Sequence, residues 1–318
     1  MSHLEYGGYI ELDTYDGNEY HPDALALNCG RNCLAYLIRT KAVKGIYLPY
    51  FICSSVTDVC ERLNVPVKRY HIDKNFLPQG LEPLGEGEWL YLVNYYGQLS
   101  DTVIRDYQEQ YGQVIVDYAQ AFFQRPPAGS EALYTCRKFF GVADGAYLYT
   151  ASPEIALEDD CSFERMQFLL GRYEKTANEF YKEYAENNRR FREEPTKRMS
   201  ALTHNLLRAL NYEKIAAKRT ENFSCLHERF AEMNLLKLSI PFGAFMYPLY
   251  VKNGSYIRTK LQQIKIYIPT LWPDVFQVCC ENDLEYDMAA NILPLPVDQR
   301  YDRNDMEYIA SEVEKCIS

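Results

Sequence analysis

The feature that most constrains this chain is the alternation, through its first half, of short apolar runs with segments of helical period. GIYLP (45–49) reads as a buried strand. In SSVTDVCERL, which follows it, Val56, Val59, Cys60 and Leu63 recur at helical spacing, and Ser55 and Asp58 have the spacing of a capping box. VKRYHI (67–72), WLYLVNYY (89–96) and VIVDYA (114–119) are further strand candidates. Between the last two, Val103, Ile104, Tyr107 and Tyr111 form one face of a helix. ALYT and AYLYT are two short strands joined by a tight connection. Such alternation predicts an α/β domain whose central sheet is mostly parallel and flanked by helices.

From Ser162 the pattern changes. A long, charged helical region runs up to Pro195, and a second helical stretch covers roughly Ser200 to Phe230. Strand signals follow in GAFMYPLYV and QIKIYIPTLW, and ASEVEKCI closes the chain as an amphipathic helix. The expectation is a large domain over residues 1–180, then connecting helices and a small C-terminal α+β domain over 181–318, with the boundary inside 160–200. A chain of 318 residues suits that division.

Composition removes several function classes. The chain is 47% apolar and 25% charged, as a soluble globular protein is. No run approaches the roughly twenty apolar residues of a membrane helix, and the acidic start MSHLEYGGYIELDTYDGNEY is no secretory signal. A net charge of −10 argues against a general nucleic-acid binder, which needs clustered Lys and Arg. The ten cysteines form no paired CxxC clusters, so no metal site is expected, and reduced thiols in the cytoplasm are the simplest reading.

Four pieces can carry chemistry, each at a junction where ligands bind in open α/β sheets. In NCGRNCLAYLI (28–38), Gly30, Arg31 and Asn32 fall at a helix start, where free N–H groups suit a phosphate; a plain helix start capped by Asn fits as well. In VIVDYAQAF, Asp117 ends a buried run, and a carboxylate there is costly unless it meets a cation or donor. Period-two geometry puts Ala119 on the same side, so a carboxylate can reach the edge of a flat ring while a small side chain admits its face, and Gln120 can add a hydrogen bond. The competing reading is an Asp that caps a following helix. In YTCRKFFGVADGAYL (134–148), Thr135 precedes Lys138 by one turn, and Gly141 and Gly145 allow tight backbone; alone, Lys138 reads as a solvated charge. NYYGQ (94–98) can line a ligand through Tyr95 or pack in the core before a turn.

Together these pieces resemble the fold type I pyridoxal-phosphate enzymes, and more closely the DegT/DnrJ/EryC1/StrS group of sugar aminotransferases. The likeness runs through LNCGRNCLAYL, IYLPYFICSSV, VNYYGQ, VIVDYAQAF and YTCRKFFGVADGAYL, with D-x-A-Q and the spaced lysine its specific part. The resemblance implies pyridoxal 5′-phosphate as cofactor, held by Lys138 as a Schiff base, with Lys138 also shuttling the proton. It implies Asp117 as partner of the ring nitrogen, Gln120 as a ring or 3-oxygen contact, and Ala119 beneath the ring. Gly30, Arg31, Asn32 and Thr135 would hold the phosphate. A desolvated lysine amine has a lowered pKa, so a pocket position for Lys138 is expected.

The resemblance further implies an amino-acid donor, glutamate in the first instance, a nucleotide-linked keto-sugar acceptor, and an active site at a homodimer interface. Two positions depart from the family. Its ring-stacking aromatic corresponds to Cys53, leaving Tyr50, Phe51 or Tyr95 to stack instead. The asparagine that the partner subunit donates to the phosphate, ahead of an Arg-Met pair, corresponds to Thr196, before KRMS (197–200). These departures motivate a competing function, a binding or scaffold protein of the same fold. Lys138 speaks against the family's dehydratase branch, which carries histidine there.

Overall fold

The computed structural model describes residues 6–317. The chain runs β1 (Leu25–Leu27), α1 (Gly30–Thr40), β2 (Gly45–Pro49), α2 (Ser54–Arg62), β3 (Val67–Ile72), β4 (Pro78–Gln79), β5 (Glu88–Val93), α3 (Asp101–Tyr111), β6 (Val114–Asp117), β7 (Glu131–Thr135) and β8 (Ala146–Tyr149). These strands form one 8-stranded sheet in the order β1-β8-β7-β6-β5-β2-β3-β4. The strands from β3 to β7 in that order pair in parallel, whereas β8 is antiparallel to both β7 and β1, and β4 is antiparallel to β3. Because β8 opposes both neighbours, β1 runs in the same direction as β7. The carboxyl ends of β1, β5, β6 and β7 therefore share one edge of the sheet. GIYLP and VIVD are buried at every position, as strands covered on both faces should be.

Two local expectations fail near the start of this sheet. Helix α2 begins after Cys53 with no side-chain cap, so the Ser55–Asp58 box does not form; the Ser54 N–H donates instead to Asp274 Oδ2 (3.0 Å). No helix follows Asp117 closely enough for it to cap.

The charged region after Ser162 is not one helix but two, α4 (Gln167–Glu174) and α5 (Tyr181–Arg190). Between them the Thr176 N–H and hydroxyl both donate to Glu179 Oε1, a local bond that competes with helix continuation. The next stretch also divides, into α6 (Ala201–Arg208) and α7 (Tyr212–Phe230), because Ser200 and Asn211 each cap a new start by accepting from Thr203 N and Lys214 N. Then follow β9 (Met246–Tyr250), α8 (Gly254–Gln263), α9 (Val275–Val278), α10 (Leu284–Asn291), β10 (Ile292–Pro296) and α11 (Arg303–Ile317). Strands β9 and β10 form a separate antiparallel pair. QIKIYIPTLW makes no strand, since Lys265 and Trp272 turn the backbone at positive φ (65° and 57°).

Two apolar cores result. The first fills the large sheet and its helices; the second is built from α7, β9, α8, β10 and α11. Helix α7 serves both, with Tyr212 and Ala216 in the first and Phe223, Leu226 and Phe230 in the second. No helix among the described residues is long and apolar enough to cross a membrane.

Candidate active site

The shared edge gathers most of the residues singled out above. The Gly145 N–H donates to Asn28 O (2.8 Å), and Gly145 O accepts from Cys136 N (3.0 Å). Gly145 does this at φ +111°, a conformation that disfavours any side chain, with Thr203 Cγ2 only 3.0 Å from where a Cβ would stand. These bonds stitch the start of α1 to the end of β7, so a Cβ placed on Gly30 would lie 3.9 Å from Thr135 Cβ. Cys29, the residue before α1, makes no side-chain capping bond, which leaves first-turn N–H groups for an outside acceptor. Asn32 is used differently from expectation. Its amide donates to Asn28 Oδ1 (2.9 Å) and Pro195 O (3.0 Å), and its N–H to Cys29 O (3.0 Å), so it builds the wall while Gly30 and Arg31 remain as donors.

Asp117 ends β6 as a buried carboxylate. Its Oδ1 accepts from Ala119 N (2.7 Å) and its Oδ2 from the Tyr91 hydroxyl (2.9 Å). Burial pushes this carboxyl up from the ordinary range, while the Lys138 charge, the Ala119 N–H and the Tyr91 hydroxyl pull it back. Lys138 follows β7, the parallel neighbour of β6, so the turn that bears it and the Asp117 carboxylate lie at the same sheet edge. Gln120 is buried; its Oε1 accepts from Tyr96 N (2.8 Å), and its amide nitrogen has no partner among the described residues.

Lys138 stands on the turn after β7, its Nζ 5.5 Å from the centre of the Phe245 ring. In the single chain it is exposed, which corrects the expectation of a desolvated amine. Its neighbours Cys136, Phe139 and Phe140 are buried, so the turn is packed and only the lysine side chain reaches out.

Two of the three aromatic stacking candidates, Phe51 and Tyr95, are corrected. Phe51 packs 4.4 Å from Trp272, and Tyr95 stacks on Phe76 (5.2 Å) while its hydroxyl donates to Phe51 O (2.5 Å). Both are buried, with no face left for a ligand. Tyr50 lies against His71, 4.6 Å between centroids. Cys53 is exposed at the start of α2, so a thiol rather than a ring occupies that position.

Sequence reasoning missed Tyr91, Phe245 and Arg219. Tyr91 hides in an apolar strand, and its role appears only when β5 pairs with β6. Arg219 is buried with its guanidinium on Ala244 O (2.9 Å) and Phe139 O (3.1 Å), tying the segment under Lys138 to the residue after it.

No family model matches the chain, and no curated protein matches it. Solved structures do. A DegT DnrJ EryC1 StrS aminotransferase from Brucella abortus aligns at 14% identity over 92% of this chain and 85% of that one, TM-score 0.60. The aminotransferase TlmJ from Streptoalloteichus hindustanus aligns at 16% identity over 92% and 85%, TM-score 0.64. This chain has their fold. A third structure, NtdA from Bacillus subtilis with bound cofactor PMP, aligns at 13% identity over 92% and 73%, TM-score 0.64.

Proposed function

We propose that the chain is a pyridoxal-phosphate-dependent aminotransferase that moves an amino group from an amino acid, glutamate in the first instance, to a nucleotide-linked keto sugar. One observation carries the reading: Asp117 and the turn that bears Lys138 lie at the same sheet edge where the start of α1 lies beside Thr135. An anion suits the α1 start, a protonated ring nitrogen suits Asp117, and an aldehyde suits the Lys138 amine. Those are the three ends of pyridoxal phosphate, so the residues present fit it. When bound, the cofactor supplies an electron sink. The chain supplies the rest. Asp117 would pair with the ring nitrogen, the Gln120 amide would donate to a ring oxygen, Ala119 would admit the ring, and Lys138 Nζ would hold the cofactor and hold or move the proton.

A second reading is supported by the thiol of Cys53 at the position of the family's ring-stacking aromatic and by the open position of Lys138. It is a binding protein of the same fold with little or no turnover, or a pyridoxal-phosphate enzyme of another reaction. One experiment separates these. Protein incubated with the cofactor should turn yellow, and borohydride should fix a pyridoxyl mass on Lys138 and on no other residue. Glutamate and a panel of nucleotide-linked keto sugars should then yield an amino sugar by mass, with turnover falling about 10²- to 10⁴-fold in Lys138→Ala. A protein that stays colourless excludes the cofactor; a yellow protein that aminates nothing favours the second reading.

A further inference from the structure

We infer that Arg219 and Gln299 are positioning residues for Lys138, gripping the carbonyl of the next residue, Phe139, from α7 and from the loop after β10. The inference rests on the reading above only in taking Lys138 as the amine that reacts.

The exposed Lys138 side chain meets the Phe245 ring, its Nζ 5.5 Å from the centroid. An exposed side chain is aimed chiefly by the backbone that carries it. On one side the turn is closed by its own bonds, from Phe139 N (3.0 Å) and Phe140 N (2.9 Å) to Cys136 O. On the other side the Phe139 carbonyl accepts twice, from Arg219 Nη2 (3.1 Å) and from Gln299 Nε2 (2.9 Å). Arg219 Nε donates in turn to Gln299 Oε1 (2.7 Å), so the two donors fix each other. Arg219 Nη1 donates to Ala244 O (2.9 Å) and, at longer range, to Phe245 O (3.4 Å). One guanidinium thus holds both the peptide after Lys138 and the backbone of the ring beside its amine.

Stability alone does not account for this arginine. Arg219 is 2% exposed and makes no ion pair among the described residues. Asp298, whose charge acts on it, is engaged by Arg300 at 2.7 Å. Burial pulls the Arg219 guanidinium down to about 10. A buried charge without a partner ion is expensive, and an apolar side chain of similar volume would fill the space at lower cost. What an apolar side chain does not supply is a rigid planar fork that ties acceptors on three segments at once.

The test compares the full-length protein with Arg219→Met, Arg219→Lys and Gln299→Met. Leu226→Ala, which opens a cavity in the second core on the same helix, is the control for lost stability. In cofactor-free protein, amide exchange over residues 136–142 should exceed what global stability accounts for by at least about tenfold in the two Met variants. In Leu226→Ala it should match global stability. With pyridoxal 5′-phosphate added, the yellow adduct fixed by borohydride on Lys138 should form about 10- to 100-fold more slowly in Arg219→Met. Gln299→Met, which leaves the guanidinium in place, should slow it about 3- to 10-fold. Arg219→Lys keeps the charge and loses the fork, so it should behave as Arg219→Met does. If Arg219→Met does not fold, Gln299→Met decides. Parent-like adduct rates in the folded variants, equal slowing in Leu226→Ala, or turn exchange that only follows global stability would each overturn the inference. A parent that forms no adduct on Lys138, while its turn exchange still depends on Arg219 and Gln299, would keep the grip on the turn and remove the aminotransferase reading.

Discussion

Asp117 shows how stability and function pull apart at one residue. Its carboxyl is pushed up chiefly by burial, so its charged form is disfavoured in the fold relative to the unfolded chain. The sign follows. Stability is unpenalised below the unfolded-state pKa of an aspartate, about 4, and is lost as pH rises through the higher folded value. Asp117→Asn should therefore raise the melting temperature of the apoprotein at neutral pH, with the gain shrinking below about pH 4. The same change should weaken cofactor binding and turnover, because the ring nitrogen loses its anion. Melting curves across pH, set beside cofactor titrations, check both; a variant that binds the cofactor like the parent removes Asp117 from the assigned role. The residue was legible because a carboxylate closing an apolar strand demands a partner. Tyr91 was not, since nothing local distinguishes a tyrosine whose hydroxyl is needed from one that merely fills a strand. The exposure of Lys138 was equally hidden, because it depends on what covers the sheet edge rather than on neighbours in sequence.

At the scale of elements, the two glycines after Lys138 do different work. Gly145 holds φ +111° with Thr203 Cγ2 at 3.0 Å and Cys136 Cβ at 3.3 Å of a built Cβ, while a Cβ on Gly141 would meet only Leu169 Cδ2 at 4.0 Å. Gly145→Ala should cost about 1–3 kcal/mol and also shift the turn that carries Lys138. Gly141→Ala should stay within about 0.5 kcal/mol of the parent. Denaturant melts of the two variants decide between this account and a general need for small residues there. The parallel strands were readable because burial on both faces makes continuous apolar runs. Strand β10 was not, because Pro294 and Pro296 argue against a strand unless it pairs in a small, edge-rich sheet, as it does with β9. Helix breaks were the hardest to see: Ser200 and Asn211 look like ordinary polar positions until their side chains are found capping new helices.

For the whole molecule, the question is what closes the site over Lys138. We propose a homodimer, supported by apolar side chains left in water on the α4–α5 pair: Leu170 is 62% exposed, Tyr173 92% and Tyr181 67%. Scattered exposed apolar residues are ordinary, but a group on one helical hairpin marks an interface. A Leu170→Glu/Tyr173→Glu double variant should sediment as a monomer at concentrations where the parent is dimeric. Turnover should fall by at least about tenfold, since a second protomer would no longer exclude water from the site. A monomer with full turnover would show that the single chain suffices, and a variant that remains dimeric would place the interface elsewhere on the surface.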